Sequence, residues 1–506
     1  MTTVASGYGR FGRRPSSGAA APVLAGAAIL AGLISGHFVE SGRGAAVLAL
    51  GAVVMLPVVL WKKPHVGPAV LVVAALAVEQ FDQFAAMGRT VSTEELTARI
   101  PLFYGLSGIR LSPADLLLFL LIAIAVVRSG TGRTARLPRS GPSIPLYCLF
   151  GAVVLGIMWG SSKGGSTRVA FMEARPYVYL VATFVLASVL LTTRSAIRSV
   201  VWGLIIAIGF KSAQGLATFL AVRNWGENRP EAVLGHEEAV FLALFLLLTI
   251  ALWLFEVPGR MRTTATLLTP VVLMADLANS RRAAWLIMAV GFVSLAAIGY
   301  AALPTRRRFV RRIMICVALL LAVYLPAYWN HTGGLAQPAR AVRSEVSPSP
   351  RDFSSDLYRL QEDQNLKLNI RAGGPLGAGF GRPIDYALPI TDISGTDPLI
   401  KYIPHNGVLY VLMRMGIPGA TVFWLVLGTA IISAARLARS RDREFAALGA
   451  LAAAVIVGYA FEGAVDQGFF FYRIAFVIGT LLGLIQAARR LDAEREEGHG
   501  LVPGTP

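Results

Sequence analysis

Apolar runs long enough to cross a hydrocarbon core recur along almost the whole chain. A helical crossing takes roughly 20 residues. Lipid offers no partner to a free backbone amide, so runs of this kind must be helical. They fall near 19–37, 44–61, 66–84, 113–128, 144–160, 176–192, 200–222, 238–257, 264–280, 283–303, 313–329, 405–432, 446–465 and 472–488. The pattern predicts an all-α, polytopic transmembrane helix bundle of about 12–14 spans with one large extracytoplasmic loop containing short helices. A second run follows the first almost at once, so the first reads as an uncleaved helix rather than a signal peptide. No internal repeat is visible.

Composition agrees. Charged residues make up 15% of the chain, against about 25% in a soluble domain. The net charge of +18 would suggest nucleic acid in a soluble protein. Here most Lys and Arg sit in short clusters between apolar runs, and no basic stretch is interleaved with aromatics. No nucleic-acid partner is expected; membrane lipids are. Cys148 and Cys316 lie inside apolar runs and read as small buried hydrophobes. No Cys/His cluster has metal-ligand spacing, so no metal site is expected.

The basic clusters set an orientation. With Arg10, Arg13 and Arg14 in the cytoplasm, alternate connections carry Lys62–Lys63, Arg128 to Arg139, Arg194 and Arg198, Arg260 and Arg262, the run 305–312, and Arg436 to Arg443. This predicts a multi-pass protein of the cytoplasmic membrane with both termini inside. The expected divisions are a cytoplasmic N-terminal segment 1–18, a helix array 19–329, an extracytoplasmic loop 330–404, C-terminal helices 405–488 and a cytoplasmic tail 489–506. The early part of the loop, AQPARAVRSEVSPSP, reads as linker. Its later part, SSDLYRLQEDQNLKLNI, reads as an amphipathic helix with Leu357, Leu360, Leu366, Leu368 and Ile370.

Several outer-side residues are not explained by topology. Arg281 and Arg282 stand in a tight hairpin where the positive-inside rule disfavours them. They fit an anion site for phosphate or pyrophosphate, or headgroup contact by snorkelling. Glu79, Asp82, Asp276, Glu462 and Asp466 are ionisable groups at the same level; they fit either a site or structural ties to the outer arginines. Arg229, His236, Glu237 and Glu238 precede a span and suit gating or helix capping better than metal binding. The glycines of 374–381 suit close backbone packing or cradling a lipid-linked phosphate. They do not fit a nucleotide loop, lacking the strand and the Lys-Ser/Thr. His405 stands where the long loop enters a span. Its neutral imidazole can take a proton from a hydroxyl, and Asn406 can cap the helix that follows.

These residues form a recognisable series. His405-Asn406, nine residues (407–415), then Gly416-Ile417-Pro418-Gly419 resemble the hallmark of the O-antigen ligase family, the ligase/polymerase superfamily of bacterial surface polysaccharides. Arg359, the turn Pro375-Leu376-Gly377-Ala378-Gly379 and the earlier Ser280-Arg281 resemble its other motifs in order and membrane side. His236-Glu237-Glu238 stand where many members carry an Asn-rich turn. The resemblance implies a metal-independent, cofactor-free membrane glycosyltransferase. Its donor would be a glycan on undecaprenyl pyrophosphate, and its acceptor a sugar hydroxyl of a polysaccharide or glycolipid. It implies His405 as the catalytic base or acceptor-orienting group, with Arg281, Arg359 and Arg282 on the pyrophosphate. Asn406, Gly377, Gly379, Asp276, Arg229 and His236 would support them. Ligation and repeat-unit polymerisation both fit. The alternative is a transporter or flippase for a polar or lipid-linked sugar.

Overall fold

The computed structural model describes residues 55–80, 100, 102–103, 111–225, 230, 232–331, 333–391 and 399–500. The expected first span, most of the second, Asp82 and Arg229 lie outside the described residues. The chain comprises two units, residues 1–63 and 64–506. The first contributes the helix Met55–Lys62. The second contains every element named below.

Its helices are α1 (Gly67–Ala77), α2 (Pro113–Gly130), α3 (Ser143–Ser162), α4 (Thr167–Leu190), α5 (Arg194–Val222), α6 (Glu237–Leu254), α7 (Arg260–Asn279), α8 (Arg282–Ala302), α9 (Arg307–Tyr328), α10 (Gln337–Val346), α11 (Pro350–Gly373), α12 (Gly407–Leu437), α13 (Arg443–Val465) and α14 (Tyr472–Gly500). No strand occurs among the described residues. Ten of the described helices are long and apolar enough to span a membrane. The protein is therefore a polytopic all-α bundle. The run expected near 264–280 is helical as α7, but it is not among those ten. Its basic and threonine-rich first half dilutes its apolar character.

The bundle is organised around α13, which touches α6, α8, α12 and α14. Its alanine-rich sequence lets these neighbours approach closely. The longest packing seam joins α4 and α14. Gly479 and Gly483, four residues apart, make it possible. A Cβ on Gly479 would collide with the Leu180 carbonyl, and one on Gly483 would lie 2.6 Å from the Phe184 carbonyl oxygen. Such small-xxx-small spacing is how helices pack where lipid removes the hydrophobic drive. By contrast α9 buries only Val310 completely and presents almost all of its surface outward.

Two expectations change here. The stretch read as linker contains α10, held by Arg343 Nη1 on the Trp329 carbonyl at 2.7 Å and by Gln337 Nε2 on Ser280 Oγ at 3.1 Å. Its small residues Ala339 and Ala341 are buried, a packing signal that composition hides. Cys148 and Cys316 are exposed rather than buried, because each falls on the outward face of its helix.

Charged ties mark the two ends. At one end Arg194 bridges Asp442 and Glu444 at 2.8 and 2.7 Å, and Arg495 reaches Asp442 at 2.6 Å. The other end contains the N-termini of α6, α8 and α12, the C-terminus of α13, and α10 and α11.

Candidate functional site

The α12 helix opens with a cap and soon breaks. Asn406 Oδ1 accepts the Leu409 N–H at 3.0 Å, which satisfies one of the orphan donors of a helix start. Gly416 then adopts φ 63° and ψ −168°, interrupting the helix. Pro418 has no N–H to return to Arg414. The carbonyls of Met413 and Arg414 are thus left without helical donors.

The turn 375–379 supplies the missing partners. Ala378 N donates to Met413 O at 2.7 Å, Gly379 N to Arg414 O at 3.1 Å, and Ile417 N to Pro375 O at 2.9 Å. Gly377 and Gly379 have φ +75° and +77°. A Cβ on Gly377 would lie 2.6 Å from Gly416 N, and one on Gly379 would collide with Gly160. Of the two roles open to these glycines, close backbone packing is the one the geometry supports. The Ala378 and Gly379 amides are consumed by the broken helix, so they do not face a phosphate.

Beneath the turn lies a buried pair that no sequence motif singles out. Arg414 Nη2 contacts Glu173 Oε1 at 2.7 Å, with side-chain exposures of 1% and 0%. Arg414 also donates to the Gly379 carbonyl at 3.2 Å and to the Tyr402 carbonyl at 2.9 Å. Glu173 accepts from the Tyr410 hydroxyl at 2.8 Å and from Gly381 N at 2.5 Å. The pair clamps the loop to α4 and α12 and so fixes where His405 emerges.

His405 faces α11. Glu362, fully buried, accepts the His405 backbone N–H at 2.9 Å and lies 3.2 Å from Nδ1. A carboxylate can only accept, so Nδ1 carries the proton and Nε2 is left as a lone-pair acceptor. Burial pulls the His405 pKa down, but the hydrogen bond and charge of Glu362, with Asp466 beyond, outweigh it and raise it above 6.5. The Tyr358 ring stands edge-on to the imidazole at 5.7 Å. Asn406 Nδ2 donates to Asp363 at 3.2 Å. Thus α11 meets the α12 entrance through three polar side chains, Tyr358, Glu362 and Asp363.

A second chain of contacts runs beside it. Arg281, the N-cap residue of α8, approaches His236 Nε2 at 2.9 Å. Guanidinium has no acceptor, so Nε2 accepts and His236 Nδ1–H points to Asp466, 3.3 Å away. Arg359 Nη2 lies 3.9 Å from the same Asp466 oxygen. Asp466 is the C-cap residue of α13. Burial would raise its pKa, but the hydrogen bond from His236 and the charge of Arg359 pull it well below the usual carboxylate range. Arg281, Arg359 and His405 therefore share one neighbourhood centred on Asp466. Three helix N-termini, those of α6, α8 and α12, converge there and add partial positive charge. Arg282 is half-buried as the first residue of α8.

The remaining carboxylates behave differently from expectation. Glu79 does not reach an outer arginine; it pairs with Lys211 of α5. Glu237 and Glu238 face inward: Arg473 Nη1 lies 2.6 Å from Glu238 and 3.9 Å from Glu237. Arg473 also caps α1 through the Ala75 and Leu76 carbonyls at 2.7 and 3.1 Å. These ion pairs form a structural floor under the site, with Glu237 and Glu238 in the first turn of α6. Asp276 is buried, and its Oδ1 has no hydrogen-bond partner among the described residues. Among the described residues no group of three or more His, Cys, Asp or Glu is placed to hold a metal ion.

Sequence reasoning missed Glu173, Glu362, Lys211, Arg414 and Arg473. Glu362 had one available signal. It lies three residues after Arg359, on the same face of α11.

No curated protein matches this sequence. The sequence model of the O-antigen ligase family matches residues 265–425. That stretch runs from α7 past the break in α12 and contains Arg281, Arg359, His405 and both glycine motifs. Over residues 265–425 this multi-pass membrane protein is thus similar to the O-antigen ligase superfamily, a family of ligase- and polymerase-type membrane enzymes.

Proposed function

We propose that the protein transfers a glycan from undecaprenyl pyrophosphate to a sugar hydroxyl of a polysaccharide or glycolipid. The reaction takes place at the outer face of the cytoplasmic membrane, with both termini inside. One observation carries the reading: two arginines, Arg281 and Arg359, stand around Asp466 beside a histidine whose Nε2 is held free by Glu362.

In this reading the guanidinium groups of Arg281 and Arg359 bind the donor's diphosphate, aided by the converging helix N-termini. The Arg359 contact to Asp466 is long, so this side chain can turn to an incoming anion. His405 Nε2 takes the proton of the acceptor hydroxyl as its oxygen attacks the anomeric carbon. The bond from that carbon to the diphosphate oxygen breaks, and its electron pair leaves on undecaprenyl pyrophosphate. The arginines neutralise the charge that develops on the leaving group, the part a metal plays in other transferases. A cavity of about 490 Å³ begins at Val408, three residues after His405, and runs past Leu412 to Trp424 along α12. Its apolar walls suit a polyisoprenoid chain whose diphosphate rests at the site.

The test is transfer of a lipid-linked glycan in membranes or proteoliposomes. His405→Ala should abolish product while the protein stays folded and membrane-inserted. Undiminished transfer by that variant would sink the reading.

A further inference from the structure

A second cavity, of about 630 Å³, opens at the end of the bundle opposite His405. This is within the roughly 300–1,000 Å³ of sites that hold drug-sized ligands. It lies between α6, α8 and α9. Ile250, Leu254, Phe292, Leu295, Phe309 and Ile313 form its apolar walls. Arg262 and Arg306 stand among its polar lining.

The two arginines are held in different ways. The Arg262 guanidinium sits 4.6 Å from the centre of the Trp253 ring and makes no ion pair among the described residues. Arg306 pairs with Glu256 and donates to the Leu254 carbonyl at 3.1 Å. Glu256 is shared with Arg443, 3.6 Å away, and is the one carboxylate among the lining residues. Arg307, Arg308, Arg311 and Arg312 follow on the exposed start of α9. The mouth of the cavity thus carries a clear excess of positive charge.

The walls call for a different kind of group. Only 6% of the most apolar stretch of α9 is buried, so the cleft between α9 and the bundle faces hydrocarbon. An apolar cleft with cationic groups at its mouth matches one chemical class, a lipid with acyl chains and an anionic headgroup. A zwitterionic lipid would bring its own cation against the arginines.

We propose that this cleft binds an anionic glycerophospholipid. An acyl chain lies between α9 and the α6–α8 pair, and the phosphate rests on Arg262 and Arg306. The lipid fills the seam that protein side chains leave open and fastens α9 to the bundle.

The experiment uses the full chain, delipidated in mild detergent. It is offered equal amounts of phosphatidylglycerol and phosphatidylcholine of matched chain length, and native mass spectrometry reads what stays bound. Phosphatidylglycerol should be retained several-fold over phosphatidylcholine. Arg262→Gln leaves the Arg306–Glu256 pair intact and should reduce retention about fivefold, the loss of one guanidinium near a headgroup. Ile313→Trp, which fills the cleft, should abolish it. Arg136→Gln, exposed in the connection between α2 and α3 and away from the cleft, should leave it unchanged. Equal retention of the two lipids would overturn the proposal, as would retention unaffected by both Arg262→Gln and Ile313→Trp. Displacement of the lipid by millimolar inorganic phosphate would also overturn it, because the arginines would then serve a free anion.

Discussion

Glu362 grips His405 at two atoms, accepting its backbone N–H at 2.9 Å and facing Nδ1 at 3.2 Å. One buried carboxylate therefore fixes where the imidazole sits, which tautomer it adopts and how basic it is. This resembles the way a carboxylate orients a histidine in hydrolytic triads, although here the histidine would act directly on an acceptor hydroxyl.

Glu362→Gln keeps an acceptor for the backbone N–H but removes the charge. Turnover should fall about 100-fold, at the low end of what a positioned general base supplies, with little change in KM for the donor. The pH profile gives the sharper readout. Glu362 holds the His405 pKa above 6.5, and the active form is the neutral one, so activity is lost as pH falls through that pKa. Without the carboxylate the pKa drops, and the acid limb should move to lower pH. An unmoved limb would separate Glu362 from the titrating group.

Arg359→Lys keeps a positive charge but loses the planar fork that grips two phosphate oxygens. The expected effect is a rise of about tenfold in KM for the lipid-linked donor, the loss of roughly one charge-assisted hydrogen bond, with a smaller change in kcat. Steady-state kinetics over a range of donor concentrations checks this. A change confined to kcat would point to a role other than ground-state donor binding.

The buried pair Arg414–Glu173 should behave as a unit. Removing one charge leaves the other stranded, which costs about 3–5 kcal/mol. Arg414→Met and Glu173→Gln should each lower the thermal midpoint in detergent. The double variant should lose markedly less than the sum of the two. Strict additivity would mean that the pair is not coupled.

Gly416→Ala tests the broken helix. A non-glycine residue at φ 63° costs about 1–3 kcal/mol in backbone strain, and its Cβ would also collide with Pro375 O and Leu376 C. The variant should be destabilised and lose transfer, because the turn 375–379 can no longer dock and His405 shifts with it. Gly428→Ala in the same helix, where a Cβ meets nothing within 4 Å, should be neutral. Equal stability of the two variants would contradict the docking argument.

α11 shows where sequence patterning ends. The leucine periodicity correctly marks a helix, but of its four leucines only Leu366 is buried. Leu357 and Leu360 are 42% and 53% exposed, whereas Glu362 and Asn365 are fully buried. Periodicity reports which residues share a face; it does not say whether that face meets protein, water or lipid. In a membrane protein the apolar side is as readily the outward one.

The sequence by itself determined the all-helical, membrane-spanning architecture, because lipid leaves an apolar run no other way to satisfy its backbone. It also marked Arg281 and His405 at the outer ends of spans, where ionisable groups stand out; Arg359 stood out only through its resemblance to a family motif. Only the tertiary structure brought these three around Asp466, matched the carbonyls freed at Gly416 to the amides of 375–379, and paired His405 with Glu362. Each of these relations joins residues far apart in the chain. Hydrogen bonds and ion pairs act over a few ångströms of space, and separation along the sequence carries no record of that distance.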